Sequence, residues 1–226
     1  MVFQELRRRI VTLELPPGSQ LSENDLARDL SVSRTPVRES LILLAEENLV
    51  QVFPQLGSFV SRVDPERVAE AQFVREAIEL ASLTDAVEMT GPDGIAGLRE
   101  TIALQRRSDG DLEEFFALDE RFHEELLALG GHAKAWRTVH SAKAHLDRAR
   151  RLGLREVSPV GGLIDQHAEV IDALERGDLP ATTAAMRGHL RWVFADIERI
   201  RERYPELFVT ADADERPVRR TVAVWQ

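Results

Sequence analysis

The chain has 226 residues, is 43% apolar and 30% charged, carries a formal net charge of −10 and contains no cysteine. That length suits one large domain or two modest ones, and the missing cysteine excludes disulfides, thiolate zinc sites and a cysteine nucleophile. No apolar run approaches the ~18 residues of a membrane-spanning helix, and the opening MVFQELRRRIVTLEL sets its arginines inside an amphipathic pattern rather than ahead of an apolar block, against a secretory signal; the cytoplasm is the expected compartment.

Residues 3–13 place Phe3, Leu6, Ile10 and Leu13 on one helical face, and Pro16, Pro17 and Gly18 stop that helix. LSENDLARDL follows. Ser22 suits an N-cap with Asp25 three residues on, and Leu21, Leu26 and Leu30 supply an apolar face. After a break at Ser31–Ser33, RTPVRESLILLAEENLV forms a second helix that tolerates Pro36 in its first turn and points Val37, Leu41 and Leu44 inward. QVFPQLGSFVSRV alternates about a Pro-Gln-Leu-Gly turn and predicts a two-stranded hairpin. Helix, helix, turn, helix and hairpin within about 60 residues form the winged helix-turn-helix pattern. Residues 1–62 make one expected domain and residues 63–67 a linker.

From there to Tyr204 the pattern is helical throughout. The expected helices are 65–90, 92–108, 111–129, 132–152, 158–176 and 179–203, separated by turn-like GPDG, SDGD, GG, SPVGG and GD. Residues 68–204 therefore read as a second, all-α domain of about six helices. The tail 205–226 shows no period; disorder and docking of its final VAVW on a partner chain are both open.

The charge is uneven. Residues 1–62 hold 7 basic and 8 acidic side chains, while the remainder holds 22 against 31. An acidic body disfavours nonspecific nucleic-acid binding, so any DNA contact must come from a local cluster. Arg34 and Arg38 are such a cluster. Two cations at a helix N-terminus, which is already positive, make sense if an anion is meant to sit there.

These stretches resemble a family. LPPGSQLSENDLARDLSVSRTPVRESLILLAEENLV and QLGSFVSRV are similar to the GntR family of bacterial transcription regulators. FVREAIELAS, LDERFHEELLALGGHA, DQHAEVIDALERGD and AMRGHLRWV, in that order, resemble the FCD ligand-binding domain of its FadR subfamily. The resemblance covers residues 3–203. It implies a mainly α fold, with an N-terminal winged helix-turn-helix, a small β-hairpin wing and a C-terminal helical bundle. It also implies that the second helix of the head enters the major groove. Arg34 and Arg38 would then reach guanine edges, Ser33 and Thr35 would meet phosphate oxygens, and Gly57 would let the wing approach closely, with Asn24 near a contacting position.

In the second domain, Asp119 and His123 lie four apart on one helical face, with His167 and His189 on two further helices. Three imidazoles and a carboxylate suit a borderline divalent ion, zinc first, with nickel or manganese able to use the same ligands. Buried histidines also commonly just satisfy hydrogen bonds, and the same groups can bind an effector without metal. The resemblance favours the metal, because metal-binding members of the subfamily place an aspartate and three histidines at such points. It also marks Arg75 as an effector-binding candidate, beside its alternative as a surface pair with Glu79; His145 reads as helix-surface or pocket-lining and is the cavity-facing candidate. His132 stands where the family has asparagine; His140 reads as surface or pocket lining. No general base, nucleophile or cofactor fingerprint accompanies the cluster, so an enzyme is not expected. The expected protein is a homodimeric repressor that binds a palindromic operator and responds to a small carboxylate; a metal enzyme and a bundle with purely structural histidines are the rivals.

Overall fold

The computed structural model describes residues 1–108, 110–156 and 160–209, and the chain divides into two compact units. The first comprises Met1–Val68, Ala144–Leu152 and the chain from Ile197 onward; the second comprises Ala69–Lys143 and Gly153–Asp196. The elements, in chain order, are α1 (Val2–Val11), β1 (Gln20–Leu21), α2 (Glu23–Asp29), α3 (Arg34–Glu46), β2 (Val50–Phe53), β3 (Gly57–Val60), α4 (Pro65–Met89), α5 (Pro92–Arg107), α6 (Leu112–Leu129), α7 (Trp136–Ala142), α8 (Ala144–Glu156), α9 (Val160–Glu175) and α10 (Leu179–Arg203).

In the first unit the apolar faces of α1, α2 and α3 close on one core of Leu6, Ile10, Leu26, Val37, Leu41 and Leu44, joined by Leu49, Val50 and Val60 of the hairpin. The Ser22 hydroxyl accepts from the Asp25 amide at 3.3 Å, the expected cap of α2. The expected hairpin is present but is part of a three-stranded antiparallel sheet in the order β1-β3-β2, with Gln20 opposite Phe59 and Val50 opposite Val60. β1 has only two residues, too few to show alternation. Gln20 also reaches the wing turn, where its Nε2 donates to the Leu56 carbonyl at 3.1 Å. Gly57 there has φ +107°, a conformation that side chains resist.

The second unit is helical. Leu83, Leu98, Phe115, Phe122, Leu126, Val170, Ile171 and Met186 are its buried centre, drawn from α4, α5, α6, α9 and α10. Gly130, just past α6, lies so close to α4 that a Cβ there would meet the Ser82 carbonyl at 2.7 Å. That approach sets α6 against α4.

Two expectations need correction, the helix over 132–152 and the linker, and the tail, left open, is described at its start. The helix expected over 132–152 is interrupted: a 3₁₀ turn at Ala133–Ala135 precedes α7, and Lys143 separates α7 from α8. No Gly or Pro marks this break. Lys143 is 2% exposed and its Nζ meets Glu120 Oε1 at 2.6 Å, so a tertiary ion pair accompanies the break. The tail is ordered where it begins: Leu207 and Phe208 are buried, the Val63 amide donates to the Leu207 carbonyl at 2.9 Å and the Val209 amide to the Val63 carbonyl at 3.0 Å. Val63, expected in a linker, is thus fixed in a β-bridge with Phe208, and Pro65 already starts α4. Residues 210–226, and residues 158–159 of one expected helix, lie outside the described residues.

Candidate metal centre and nucleic-acid interface

The second unit brings Asp119, His123, His167 and His189 together. One ligand atom from each lies within 4.8 Å of all the others. All four residues are between 0 and 4% exposed. His167 Nε2 stands 3.1 Å from His189 Nε2, His189 Nε2 3.3 Å from His123 Nε2, and Asp119 Oδ1 3.5 Å from His167 Nε2 and 4.0 Å from His123 Nε2. Two ligands about 2.0–2.1 Å from a tetrahedral ion stand roughly 3.3 Å apart, so the spacing fits.

The outer nitrogens decide what the inner ones can do. His123 Nδ1 faces Glu79 Oε2 at 2.6 Å, His167 Nδ1 faces Gln105 Oε1 at 3.0 Å, and His189 Nδ1 faces Gln166 Oε1 at 3.1 Å. Gln105 Nε2 donates to the Leu118 carbonyl at 3.1 Å, which fixes the orientation of that amide. An acceptor at each Nδ1 puts the proton there and leaves each Nε2 with a lone pair directed inward. Three converging lone pairs and a carboxylate repel one another at these distances unless a cation lies among them. Burial is the first cause that holds His123 below its usual pKa, and burial with the neighbouring imidazoles holds His189 well below it. The centre therefore favours neutral imidazoles, the form that binds metal.

Arg75 takes the i,i+4 alternative, but not on the surface. It is 3% exposed and Glu79 is 1% exposed, with Arg75 Nε donating to Glu79 Oε1 at 2.6 Å. Burial alone would raise the Glu79 pKa; Arg75 and His123 outweigh it and hold it at about 2. A chain of Arg75, Glu79 and His123 thus orients one ligand. Phe122 stacks on the His167 ring, with centroids 4.1 Å apart. Sequence reading missed Glu79 as an orienting group, and missed Gln105 and Gln166 altogether. Only Glu79 carried a signal, its spacing from Arg75.

In the first unit, Asn24, Ser33, Arg34, Thr35, Arg38 and Gly57 are all exposed. Ser33 is the N-cap residue of α3, and its hydroxyl makes no capping hydrogen bond. Arg34 and Arg38 share one counterion that the sequence did not assign to them. Glu23 Oε2 accepts from Arg34 Nη2 at 3.0 Å and from Arg38 Nη2 at 2.9 Å, and its Oε1 accepts from Arg38 Nε at 3.0 Å. Arg38 first, then Arg34, lowers the Glu23 pKa. Such exposed pairs are screened by solvent and contribute little, so the arginines are oriented yet available.

The remaining histidines are elsewhere. His145 belongs to the first unit, where it lines a small cavity, and so is not one of the groups gathered around the four ligands. His132 pairs with Asp85 at 2.7 Å, and His140 lines a surface groove with Trp136 and Arg137.

Comparison with known proteins bears on both units. Residues 1–60 match the model described as bacterial regulatory proteins, gntR family, and residues 70–191 match the FCD domain. A Streptomyces ambofaciens protein described as an HTH-type transcriptional regulator in an unstable DNA locus is 57% identical over 225 residues, covering 100% of this chain and 95% of that protein. The Escherichia coli HTH-type transcriptional repressor RspR is 35% identical over 212 residues, covering 92% of each. A solved GntR-type regulator from Rhodococcus sp. RHA1 superposes with a TM-score of 0.70 at 25% identity, covering 88% of this chain and 96% of that one.

Proposed function

The chain belongs to the GntR family of bacterial transcription regulators, with an FCD domain, and from that premise we propose that it is a homodimeric repressor whose operator affinity is set by a small carboxylate bound at a divalent metal. Asp119, His123, His167 and His189 hold the ion. Bound there, it supplies a Lewis-acidic contact for a carboxylate oxygen. Glu79, Gln105 and Gln166 keep the three imidazoles in the metal-binding tautomer, and Arg75 keeps Glu79 ionised. The observation that carries the reading is the inward convergence of three imidazole Nε2 atoms, each ring's Nδ1 being engaged by an acceptor.

In the head, Arg34 and Arg38 read guanine edges; Ser33 and Thr35 meet phosphates; Asn24 and Gly57 flank the contact. One such head covers a half-site, and a two-fold operator asks for a two-fold protein. The carboxylate changes DNA affinity only to the extent that it binds the DNA-competent and DNA-incompetent forms unequally. Zinc leads among the ions, because the donor set is three nitrogens and one oxygen.

Burial of all four donors favours a second reading, a closed structural site that answers to no small molecule. One experiment separates them. Protein stripped by a strong chelator is reloaded with zinc, nickel or manganese, and its binding to genomic operator fragments is followed while small mono- and dicarboxylates are titrated. About one ion per chain and a carboxylate that weakens operator binding support the sensor. One ion per chain with no carboxylate response leaves the structural reading. No stoichiometric uptake overturns both.

A further inference from the structure

The second unit carries another set of polar side chains, used by neither the metal centre nor the DNA-facing residues. Lys134, Arg137 and His140 recur at every third residue through the 3₁₀ turn and α7, a spacing that sets side chains on one side. All three are exposed, and with Glu124 of α6, Ala133 and Trp136 they line a groove of about 390 Å³. Among the described residues none of Glu124, Lys134, Arg137 and His140 is held in an ion pair. Other arginines of the same unit are: Arg99, Arg106, Arg187 and Arg191 each meet a carboxylate. In a chain whose acidic side chains outnumber its basic ones 39 to 29, two cations left unpaired beside one groove call for an anion.

The floor of the groove is different in kind. Trp136 is 8% exposed and packs in a buried cluster with Leu127, Val139 and Ile78. Held in this way, the indole is a rigid, flat, apolar surface, and what it leaves open suits the face or edge of another ring. The volume falls within the roughly 300–1,000 Å³ of pockets for small organic ligands. Lys134 and Arg137 stand against Glu124 alone, so the balance of charge favours an anion. A guanidinium holds a carboxylate through two parallel N–H···O bonds. Glu124, on the other helix, repels that carboxylate and so fixes which end of a ligand faces α7.

We propose that this groove binds a small aromatic carboxylate, its ring on Trp136 and its carboxylate held by Arg137 and Lys134. His140 adds a further hydrogen-bonding group on the same side. The site does not rest on the metal reading: none of its residues is one of the four ligands, and the acid needs no ion to bind.

The test is calorimetric titration of the full chain at constant ionic strength, with benzoate as the probe. About one benzoate binds per chain, with the same affinity in chelated and in zinc-loaded protein. Cyclohexanecarboxylate, equal in charge but without a π face, binds about 2–10-fold more weakly, the worth of an aromatic pair. Arg137→Gln weakens benzoate by about tenfold or more, as loss of a charge-assisted hydrogen bond requires. Glu124→Gln tightens it. Trp136→Leu removes the preference for the aromatic acid; should that variant fail to fold, the exposed Arg137 and Glu124 decide. No saturable binding overturns the site, as does an affinity unchanged in Arg137→Gln. Equal affinity for the two acids overturns the aromatic class. Binding that requires zinc places the acid on the metal and overturns the groove.

Discussion

Glu79 shows how much a single side chain off the motif can determine. The spacing of Asp119 and His123 is legible in the sequence, because i,i+4 on a helix means one face. That His123 presents Nε2 rather than Nδ1 is not, because the deciding carboxylate is 44 residues away on another helix. The acceptors for His167 and His189 are equally remote in kind: a glutamine has no spacing rule that marks it. Removing Glu79 by substitution with Ala is expected to weaken metal binding by about 10–100-fold, the usual effect of losing an orienting partner. Competition against a chromophoric chelator measures it, and unchanged affinity sinks the orienting role. In the head, the exposed polar types at the start of α3 were legible, whereas the shared counterion Glu23 was not assigned from sequence. Arg38→Ala is expected to cost about 1–3 kcal/mol on the operator and to relax preference at one base pair. An equal loss on every DNA sequence would reduce Arg38 to a phosphate contact.

Elements were easier to read than their interruptions. The helices of the second unit follow apolar periodicity, and those expected at 65–90, 92–108, 111–129 and 179–203 begin and end within a residue of the observed ones. The break at Lys143 was illegible because its residues are ordinary helix formers; a part-buried pair with Glu120 accompanies it instead. β1 was illegible because two residues carry no alternation. The seam between α4 and α6 depends on Gly130, where a Cβ would come within 2.7 Å of the Ser82 carbonyl. Gly130→Ala is expected to push α6 off α4 and to cost about 1–3 kcal/mol by overpacking. The same shift loosens His123 from Glu79. Thermal unfolding with and without zinc checks this: the variant should lose stability in both states and more in the loaded one. A loss equal in both would show that the seam does not position the ligand.

At the scale of the whole molecule, the head expected at residues 1–62 folds with pieces from far along the chain, since Ala144 joins its core and Phe208 pairs with Val63. Long-range pairing of this kind leaves no local trace in sequence. Acid should test it through His145, whose pKa falls from 6.5 to about 4, by burial first and then by Arg148 and Arg67, with Asp64 and the Asn48 carbonyl working the other way. The unfolded chain takes up this proton below about pH 6.5 and the folded chain does not. Stability is therefore full above pH 6.5 and falls as the pH drops toward 4, by up to about 3 kcal/mol from this residue. His145→Gln should flatten that slope of melting temperature against pH; an unchanged slope removes His145 from the account. For the proposed dimer the second unit offers a candidate face, a groove of about 550 Å³ where Phe73, 75% exposed, lies near Phe194 and the Glu76–Arg191 pair. Phe73→Glu is expected to shift the protein to monomer in light scattering. A dimer that persists moves the interface elsewhere.

Glu23 also bears on how the protein finds its site. A searching protein holds to random DNA through cations that displace counterions, and two of the best-placed cations here are already neutralised in part from within. With a net charge of −10 over the whole chain, such a reader is expected to spend little time sliding along the wrong sequence. If Arg34 and Arg38 read bases as proposed, the two guanidiniums must trade a carboxylate for bases on the operator, a step that random DNA does not repay.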